Sequence, residues 1–261
     1  MLSSSEDNML IVESQRVATT PHIVIDGSPL DIGQVCEIGK AACKLRLSDD
    51  PKRIERLASA AGLVERAVDE GWAIYGVTTG FGGMADVPVP RELAAASQNN
   101  LLSFLATGAG QPIDKRHVRA AMALRANVLF RGYSGTRLEI IQRLVQFLNA
   151  GATPVVRELG SIGASGDLVP LSTIARAITG HSNSVKVEYD EKELTGEAVL
   201  DALDLEPLEL RPKEGLAIVN GTSFSAAIAA NCVAESTGLM ALSLCTQAMM
   251  LEALQVQVEP F

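Results

Sequence analysis

Residues 160–171 read GSIGASGDLVPL, and this stretch decides how the rest of the chain is interpreted. Three glycines interrupt the helical pattern within residues 160–166, and apolar residues at helical spacing follow from 169 to 178. One interpretation is a glycine-rich turn in which Ser165 or Asp167 caps the helix that follows. Such a turn carries no chemistry of its own.

The tripeptide Ala164-Ser165-Gly166 has a second option, which is chemical. In a tightly bent loop the amide nitrogen of Gly166 can approach the carbonyl carbon of Ala164, because glycine has no side chain to block the attack. Cyclisation with loss of water gives an imidazolone, and loss of the Ser165 hydroxyl as a second water leaves a methylidene group. The product is an electrophile made from the backbone. A bare Ala-Ser-Gly is common, so the tripeptide alone favours the ordinary turn.

A second glycine-rich break lies upstream, where residues 71–90 hold five glycines and two prolines. Such loops often carry function. Around the two breaks the apolar spacing predicts a mainly helical chain. The individual predictions are a strand at 22–25, a helix from Asp31 toward Leu45, a helix from Asp50-Pro51, helical patterns from Arg91 and through 118–129, 138–148 and 197–203, a hairpin at 184–194 that turns at Asp190-Glu191, and one or two buried helices from Asn220 onward.

The composition is that of a globular protein. Of 261 residues, 47% are hydrophobic and 20% charged, which excludes collagen, a disulfide scaffold and a disordered chain. Aromatic residues make up only 4%, and small apolar residues take their place, which favours close-packed helices over an all-β sandwich. The net charge is −9 with no block of Lys or Arg, so we expect no binding to nucleic acid or to an anionic membrane.

The chain gives no signal for export, a membrane span or a metal site. Glu6 and Asp7 lie near the start with no basic cluster, which argues against a secretory signal. The longest apolar run, 238–251, is shorter than the roughly 20 residues that a span needs, so we expect a buried helix there. Cys36 and Cys43 have the spacing of one helix face, and no Cys or His shows metal-ligand spacing. We therefore expect a cytoplasmic protein with reduced thiols and no metal.

Two more segments carry distinctive motifs: residues 75–83 read YGVTTGFGG, and residues 213–222 read KEGLAIVNGT. Together with GSIGASGDLVPLSTIA at residues 160–175, they resemble the ammonia-lyase and aminomutase family that uses a methylidene-imidazolone (MIO) prosthetic group, most closely its bacterial-type phenylalanine ammonia-lyases. The resemblance runs from about His22 to Phe261. It covers the N-terminal half of a typical member.

The resemblance implies removal of ammonia from an α-amino acid to leave an α,β-unsaturated acid. Ala164, Ser165 and Gly166 would form the MIO group autocatalytically, with no metal and no diffusible cofactor. Tyr75 matches the family's catalytic base for the β-proton, and Asn220 matches the residue that hydrogen-bonds near the MIO group and the polar end of the substrate. Taken alone, Tyr75 also fits a half-buried tyrosine with a bonded hydroxyl, and Asn220 also fits a helix N-cap.

Five further positions are implied to line the substrate site. Phe104 and Leu105 match the pair that selects the substrate ring, although alone they also fit two core residues of a helix. An apolar pair suits an unsubstituted phenyl ring and leaves the hydroxyl of a tyrosine substrate unpaired. Leu168 and Leu216 match other lining positions, and Gly82 matches backbone beside the MIO group. The implied reaction converts L-phenylalanine to trans-cinnamate and ammonia.

The implied fold is the helical ammonia-lyase fold, with a flexible extension at residues 1–21, a small α+β MIO-bearing domain at 22–219, and the start of a central helical bundle at 220–261. In the family the second half supplies further site groups, and each site is built from different subunits of a homotetramer. We therefore expect a homotetramer in the full-length form. We expect these 261 residues alone to be inactive or poorly folded, with an exposed apolar helix after Asn220.

Three alternatives stay open. A phenylalanine 2,3-aminomutase uses the same motifs and returns ammonia to the β-carbon, giving β-phenylalanine. A tyrosine or histidine ammonia-lyase is disfavoured by the apolar Phe104-Leu105 pair. The third alternative is an inactive fragment that only assembles with a partner chain.

Overall fold

The computed structural model describes residues 21–160, 166–180 and 184–257. Within these ranges the chain is mainly α-helical with three small sheets, which confirms the predicted fold class. The helices are α1 Ile32–Gly39, α2 Pro51–Asp69, α3 Ala94–Phe104, α4 Lys115–Phe130, α5 Leu138–Ala150, α6 Leu168–Thr179, α7 Gly196–Ala202, α8 Glu214–Val219 and α9 Ser223–Ala253. The strands are β1 His22–Ile25, β2 Lys44–Leu47, β3 Ala109–Pro112, β4 Thr153–Pro154, β5 Arg157–Leu159, β6 Lys186–Tyr189 and β7 Lys192–Thr195.

The N-terminal part is a parallel strand pair, β1–β2, connected through α1. The side chain of Asp31 accepts a hydrogen bond from the N–H of Gln34 in a capping box, so the predicted start of α1 is confirmed. The predicted continuation toward Leu45 is wrong. Helix α1 ends at Gly39, because residues 44–47 extend along β1 instead.

The two N-terminal cysteines do not share a helix face. Cys36 lies on α1, whereas Cys43 lies beyond its end, and both thiols are free and buried. Burial raises the pKa of the Cys43 thiol. The seven-residue spacing of the two cysteines places them on one helix face only if α1 continues to Cys43. Helix α1 ends before that residue.

Other predicted boundaries are confirmed. The side chain of Asp50 caps α2, whose first residue is Pro51. Helix α5 ends at Gly151, which has a φ of +81°. The hairpin β6–β7 turns at Asp190 and Glu191, whose φ angles are +50° and +58°.

The core forms around α4, which packs against α1, α5 and α9. Large side chains such as Phe130 and Phe147 are fully buried there. Two guanidinium groups, those of Arg119 and Arg125, are also buried on α4. Arg119 donates to backbone carbonyls of α1 and α5, which satisfies part of its hydrogen-bonding capacity.

Helix α9 is apolar on all sides, but only its first part is packed. That part contacts α1 and α4. Within the described chain no element covers residues 238–251, so the prediction that this run is buried is wrong, whereas the predicted exposure of apolar surface after Asn220 is confirmed. The exposed apolar side chains of the second part, which we call the exposed α9 face, are Leu239, Met240, Leu242, Leu244, Met249, Met250 and Leu254.

Among the described residues one stretch, Glu214–Ala253, is long and apolar enough to cross a membrane by length and composition alone. Of its most apolar window, 44% is buried inside the fold. Core helices of soluble proteins meet the same criteria, so this is a weak indicator of a span.

The predicted division at residues 22 and 220 stays a prediction, and residues 1–20 and 258–261 lie outside the described ranges. The first part of α9 packs on α1 and α4, so it is joined to the rest of the core.

Candidate functional site

The tyrosine loop, residues 74–83, is a tight backbone structure that presents the Tyr75 phenol. The carbonyl of Ile74 accepts hydrogen bonds from the backbone amides of residues 77–79 at 3.0 to 3.2 Å. Tyr75 is 50% exposed, and its phenol oxygen accepts a hydrogen bond of 2.9 Å from the N–H of Gly82. This hydrogen bond fixes the orientation of the phenol oxygen, the atom at which a tyrosine base accepts a proton.

A buried amide on α3 joins the tyrosine loop to α8. Gln98 is fully buried, and its Nε2 donates to the carbonyl of Gly76 at 3.1 Å, while its Oε1 accepts from the N–H of Leu216 at 3.0 Å. The Leu216 N–H lies in the first turn of α8, where backbone donors have no partner within the helix. The loop and helix also touch directly, because a Cβ at Gly76 would lie 2.8 Å from Leu216 Cδ2.

The start of α8 is held by a buried ion pair. The Glu214 carboxylate is 1% exposed and accepts from Nε and Nη2 of Arg137, each at 2.8 Å. It also accepts from the backbone N–H of Arg211 at 2.8 Å. The hydrogen bonds to Glu214 raise the pKa of Arg137 above its usual value. Lys213, just before the helix, has a φ of +80°, a left-handed conformation that a residue with a Cβ adopts only at a cost.

Gly166 lies directly against the end of α8. Its φ is +116°, and a Cβ there would lie 2.6 Å from the nitrogen of Gly221 and 3.3 Å from the carbonyl carbon of Asn220. This position therefore admits only glycine. Ala164 and Ser165 lie outside the described residues, so the structure describes the third member of the tripeptide only.

Asn220 ends α8 rather than beginning the long helix, so its interpretation as an N-cap is wrong. Its side chain is exposed, not buried, because the chain leaves α8 here and turns before α9. Its backbone carbonyl accepts a hydrogen bond of 3.1 Å from Arg125. A small molecule can reach the amide, while the backbone that carries it is fixed.

Two helix N-termini meet beside Gly166. Asp167 immediately precedes α6, and its backbone N–H donates to the carbonyl of Gly221 at 2.8 Å. Its carboxylate accepts from the N–H and hydroxyl of Ser225, at 2.8 and 2.6 Å, in the first turn of α9. Asp167 therefore caps α9 rather than its own helix, which corrects its sequence interpretation. The positive ends of both helix dipoles lie next to Gly166.

A buried guanidinium group on α4 holds the end of α8 and the residues that follow it. Arg125 is 3% exposed and donates to the backbone carbonyls of Ala217 and Asn220. Burial lowers the pKa of Arg125 to about 10, and the charge of Asp167 opposes that shift. The backbone from Ala217 to Gly221 is thus held by a side chain of α4.

The predicted substrate-lining residues occupy different environments. Leu105 and Leu216 are buried, and Leu168, the first residue of α6, is half-buried. Phe104, the last residue of α3, is 81% exposed, so its interpretation as a core residue is wrong. Helix α3 packs against both α6, which follows Gly166, and α8, which ends at Asn220.

The sequence reasoning missed three side chains that hold this site together: Gln98, Arg125 and Glu214. Gln98 had a signal, since it lies at helical spacing among the buried positions Ala94, Leu101 and Leu102 of α3. A polar residue inside an apolar stripe must find a partner. The partner itself lies 118 residues away along the chain, so the sequence does not show it.

A family model described as aromatic amino acid lyase matches residues 30–261. The chain belongs to the aromatic amino acid lyase family. This confirms the resemblance that the three motifs indicated.

Relatives within this lyase family differ in name. A phenylalanine ammonia-lyase of Nostoc punctiforme is 47% identical over 89% of this chain and 41% of its own length. A histidine ammonia-lyase of Alkaliphilus oremlandii is 38% identical over 88% of this chain and 45% of its own length. The solved phenylalanine aminomutase of Pantoea agglomerans superposes with a TM-score of 0.78 at 31% identity, over 86% of this chain and 42% of that one. The chain therefore spans less than half the length of these aromatic amino acid lyase relatives.

Proposed function

We propose that this chain carries the MIO-forming part of an aromatic amino acid ammonia-lyase, a carbon-nitrogen lyase that converts L-phenylalanine to trans-cinnamate and ammonia. The observation that carries the proposal is the position of Gly166. It lies against Asn220-Gly221, where two helix N-termini meet, and α8 connects this point to the tyrosine loop.

The described residues fit an MIO group derived from Ala164-Ser165-Gly166. Gly166 has a backbone conformation that favours glycine, and its surroundings leave no space for a Cβ. A glycine at this position leaves its own nitrogen free of a side chain that would block attack on the carbonyl carbon of the residue two before it. When formed, the group supplies an electrophile that activates the substrate amine or ring. In the described residues no group of three or more His, Cys, Asp or Glu could hold a metal ion.

The chain's own residues would bind and deprotonate the substrate. Tyr75 would accept the β-proton on its phenol oxygen, which the Gly82 N–H holds in position. The exposed Asn220 side chain would hydrogen-bond the polar end of the substrate. The N-termini of α6 and α9 would favour negative charge at the same place.

Formation of the group gives the first test of the proposal. The intact mass of the purified chain is expected to be lower than the sequence mass by two water molecules, because cyclisation and loss of the Ser165 hydroxyl each release one. Ser165→Ala is expected to remove the second loss. As a control, Ser172→Ala on α6 is expected to keep the deficit. An unmodified mass in a folded chain would contradict the proposal.

Specificity for phenylalanine rests on Phe104 and Leu105. Because Phe104 is exposed at the end of α3, a polar side chain there would meet the substrate ring without disturbing the core. Phe104→His is expected to raise the ratio of kcat/KM for tyrosine to that for phenylalanine by about tenfold or more, since a donor then pairs with the phenol. The measurement is turnover of both amino acids by the full-length protein, with Tyr133→His, at an aromatic residue that is 75% exposed and outside the site, as the comparison. An unchanged ratio would remove Phe104 from the specificity site.

The match to the Pantoea agglomerans aminomutase favours a second candidate, a phenylalanine 2,3-aminomutase. Chromatography of the product distinguishes the two, because β-phenylalanine accumulates only with the aminomutase. The histidine ammonia-lyase relative supports a test of histidine as substrate.

The exposed α9 face supports assembly. An apolar surface of this extent on a helix is typical of an interface with another chain or segment. We propose a homotetramer for the full-length form and a cytoplasmic location. We also propose that the 261 residues alone turn over no phenylalanine, because they span less than half of the relatives' length.

A further inference from the structure

We propose that Gln98 is a positioning residue that fixes the tyrosine loop against α8, so that Tyr75 and Asn220 face the same substrate. The inference rests on the proposed function and adds to it a side chain that touches no reacting atom. It is carried by one buried amide that bonds both elements.

The two hydrogen bonds by which Gln98 joins other elements end close to Tyr75 and Asn220. Gly76, whose carbonyl accepts from Nε2, follows Tyr75 directly. Leu216, whose N–H donates to Oε1, precedes Asn220 by one helical turn, about 6 Å of rise. A shift at either bond therefore changes the distance from the base to the polar end of the substrate. Displacements of about 1 Å in such an arrangement lower rates by up to roughly a hundredfold.

The surroundings of Gln98 are closely packed, and its Nε2 also lies 3.2 Å from Ser97 Oγ and 3.5 Å from the Ala94 carbonyl, both on α3 itself. A Cβ at Gly215 would lie 2.9 Å from Gln98 Cβ and 3.0 Å from its backbone oxygen, so α8 packs on α3 at backbone distance. The buried amide must satisfy a carbonyl with a donor and an N–H with an acceptor. A carboxylate at position 98 keeps the bond from the Leu216 N–H. It turns the bond to the Gly76 carbonyl into a contact between two acceptors.

The substitution Gln98→Glu tests the bridge, because it changes the bond donated to Gly76 and keeps the bond accepted from Leu216. When ionised, the new carboxylate opposes the Gly76 carbonyl; when protonated, its O–H donates to that carbonyl and restores the bridge. Because burial raises the pKa of a carboxyl group, we expect the new carboxylate to become protonated as the pH is lowered from about 9 to about 6. In the full-length protein we expect kcat of Gln98→Glu, relative to that of the unchanged protein, to be reduced about tenfold or more at the upper pH and to recover as the pH is lowered, with KM changing less.

The chain offers a matched control at a remote site. Asn127 on α4 is 7% exposed, accepts from the N–H of Gly27 at 2.9 Å and donates to the carbonyl of Ser28 at 2.7 Å. Asn127→Asp therefore makes the same chemical change in a bridge of the same type. Its kcat ratio is expected to stay close to one at every pH. A Gln98→Glu ratio that stays near one, or two variants that lose activity in parallel, would overturn the inference.

Amide hydrogen exchange provides a readout that does not need turnover. In Gln98→Leu, peptides from the tyrosine loop and from residues 214–219 are expected to exchange about tenfold or more faster than in the unchanged chain or in Asn127→Leu. Unchanged exchange in both peptides would refute the bridge. If the full-length protein forms no MIO group and deaminates no amino acid, the proposed function fails, whereas the exchange result in the 261-residue chain still decides the role of Gln98.

Discussion

In the full-length protein, replacing Tyr75 with phenylalanine is expected to lower kcat for L-phenylalanine by about 10²- to 10⁴-fold, which is the usual contribution of a general base. The substitution removes the oxygen that accepts from the Gly82 N–H and leaves the ring in edge contact with Phe81, with the centroids 6.5 Å apart. The loop conformation should survive, because the carbonyl of Ile74 holds it from within. The loss should therefore fall on kcat, with little change in the free energy of unfolding.

The matched control for this prediction is Tyr133→Phe. Tyr133 is 75% exposed and lies between the guanidinium groups of Arg56 and Arg131, at 5.9 and 5.7 Å from its ring centroid. A phenyl ring keeps these contacts, so turnover should match that of the unchanged protein. Stopped-assay kinetics and intact mass are measured on both variants. A Tyr75→Phe protein within twofold of the unchanged kcat would show that another group removes the β-proton.

Loss of the Glu214 carboxylate is expected to give the largest change in stability. Glu214→Ala should lower the free energy of unfolding by about 3–5 kcal/mol, because it leaves the largely buried Arg137 without its partner. The backbone N–H groups of Arg137 and Arg211 lose their acceptor at the same time. Urea unfolding followed by circular dichroism measures the effect in the described chain.

An exposed ion pair of the same residue types supplies the comparison. Glu65 pairs with Arg211 at 2.6 Å, and the two side chains are 52% and 53% exposed. Glu65→Ala should change the free energy of unfolding by less than about 1 kcal/mol, since solvent screens the pair. Equal effects of the two substitutions would mean that the buried pair contributes no more than a surface pair.

The sequence predicted those parts of the fold whose signals are local. Asp31 and Asp50 cap the helices that they precede, and Gly151 ends α5 in the left-handed conformation. The error at the end of α1 has a non-local cause. Residues 44–47 become a strand because β1 lies beside them, and an apolar pattern along one segment does not reveal its neighbour.

In the candidate site, too, the local motifs were predicted and the contacts between distant segments were not. The motif strings identified Tyr75, Gly166 and Asn220, and the structure brings Gly166 and Asn220 into contact. The strings did not reveal that Asn220 ends a helix or that Gln98 connects two of the motifs. These facts depend on contacts between segments far apart in the chain, which only the folded arrangement provides.

The bond between Asp167 and Ser225 also sets an order of events during synthesis. The two residues are 58 positions apart. The glycine segment before Asp167 therefore leaves the ribosome well before the turn of α9 that the Asp167 carboxylate caps. Until residues 220–225 have been synthesised, Gly166 cannot make its contact with Gly221. The surroundings of Gly166 therefore become restrictive only after the later helix has docked.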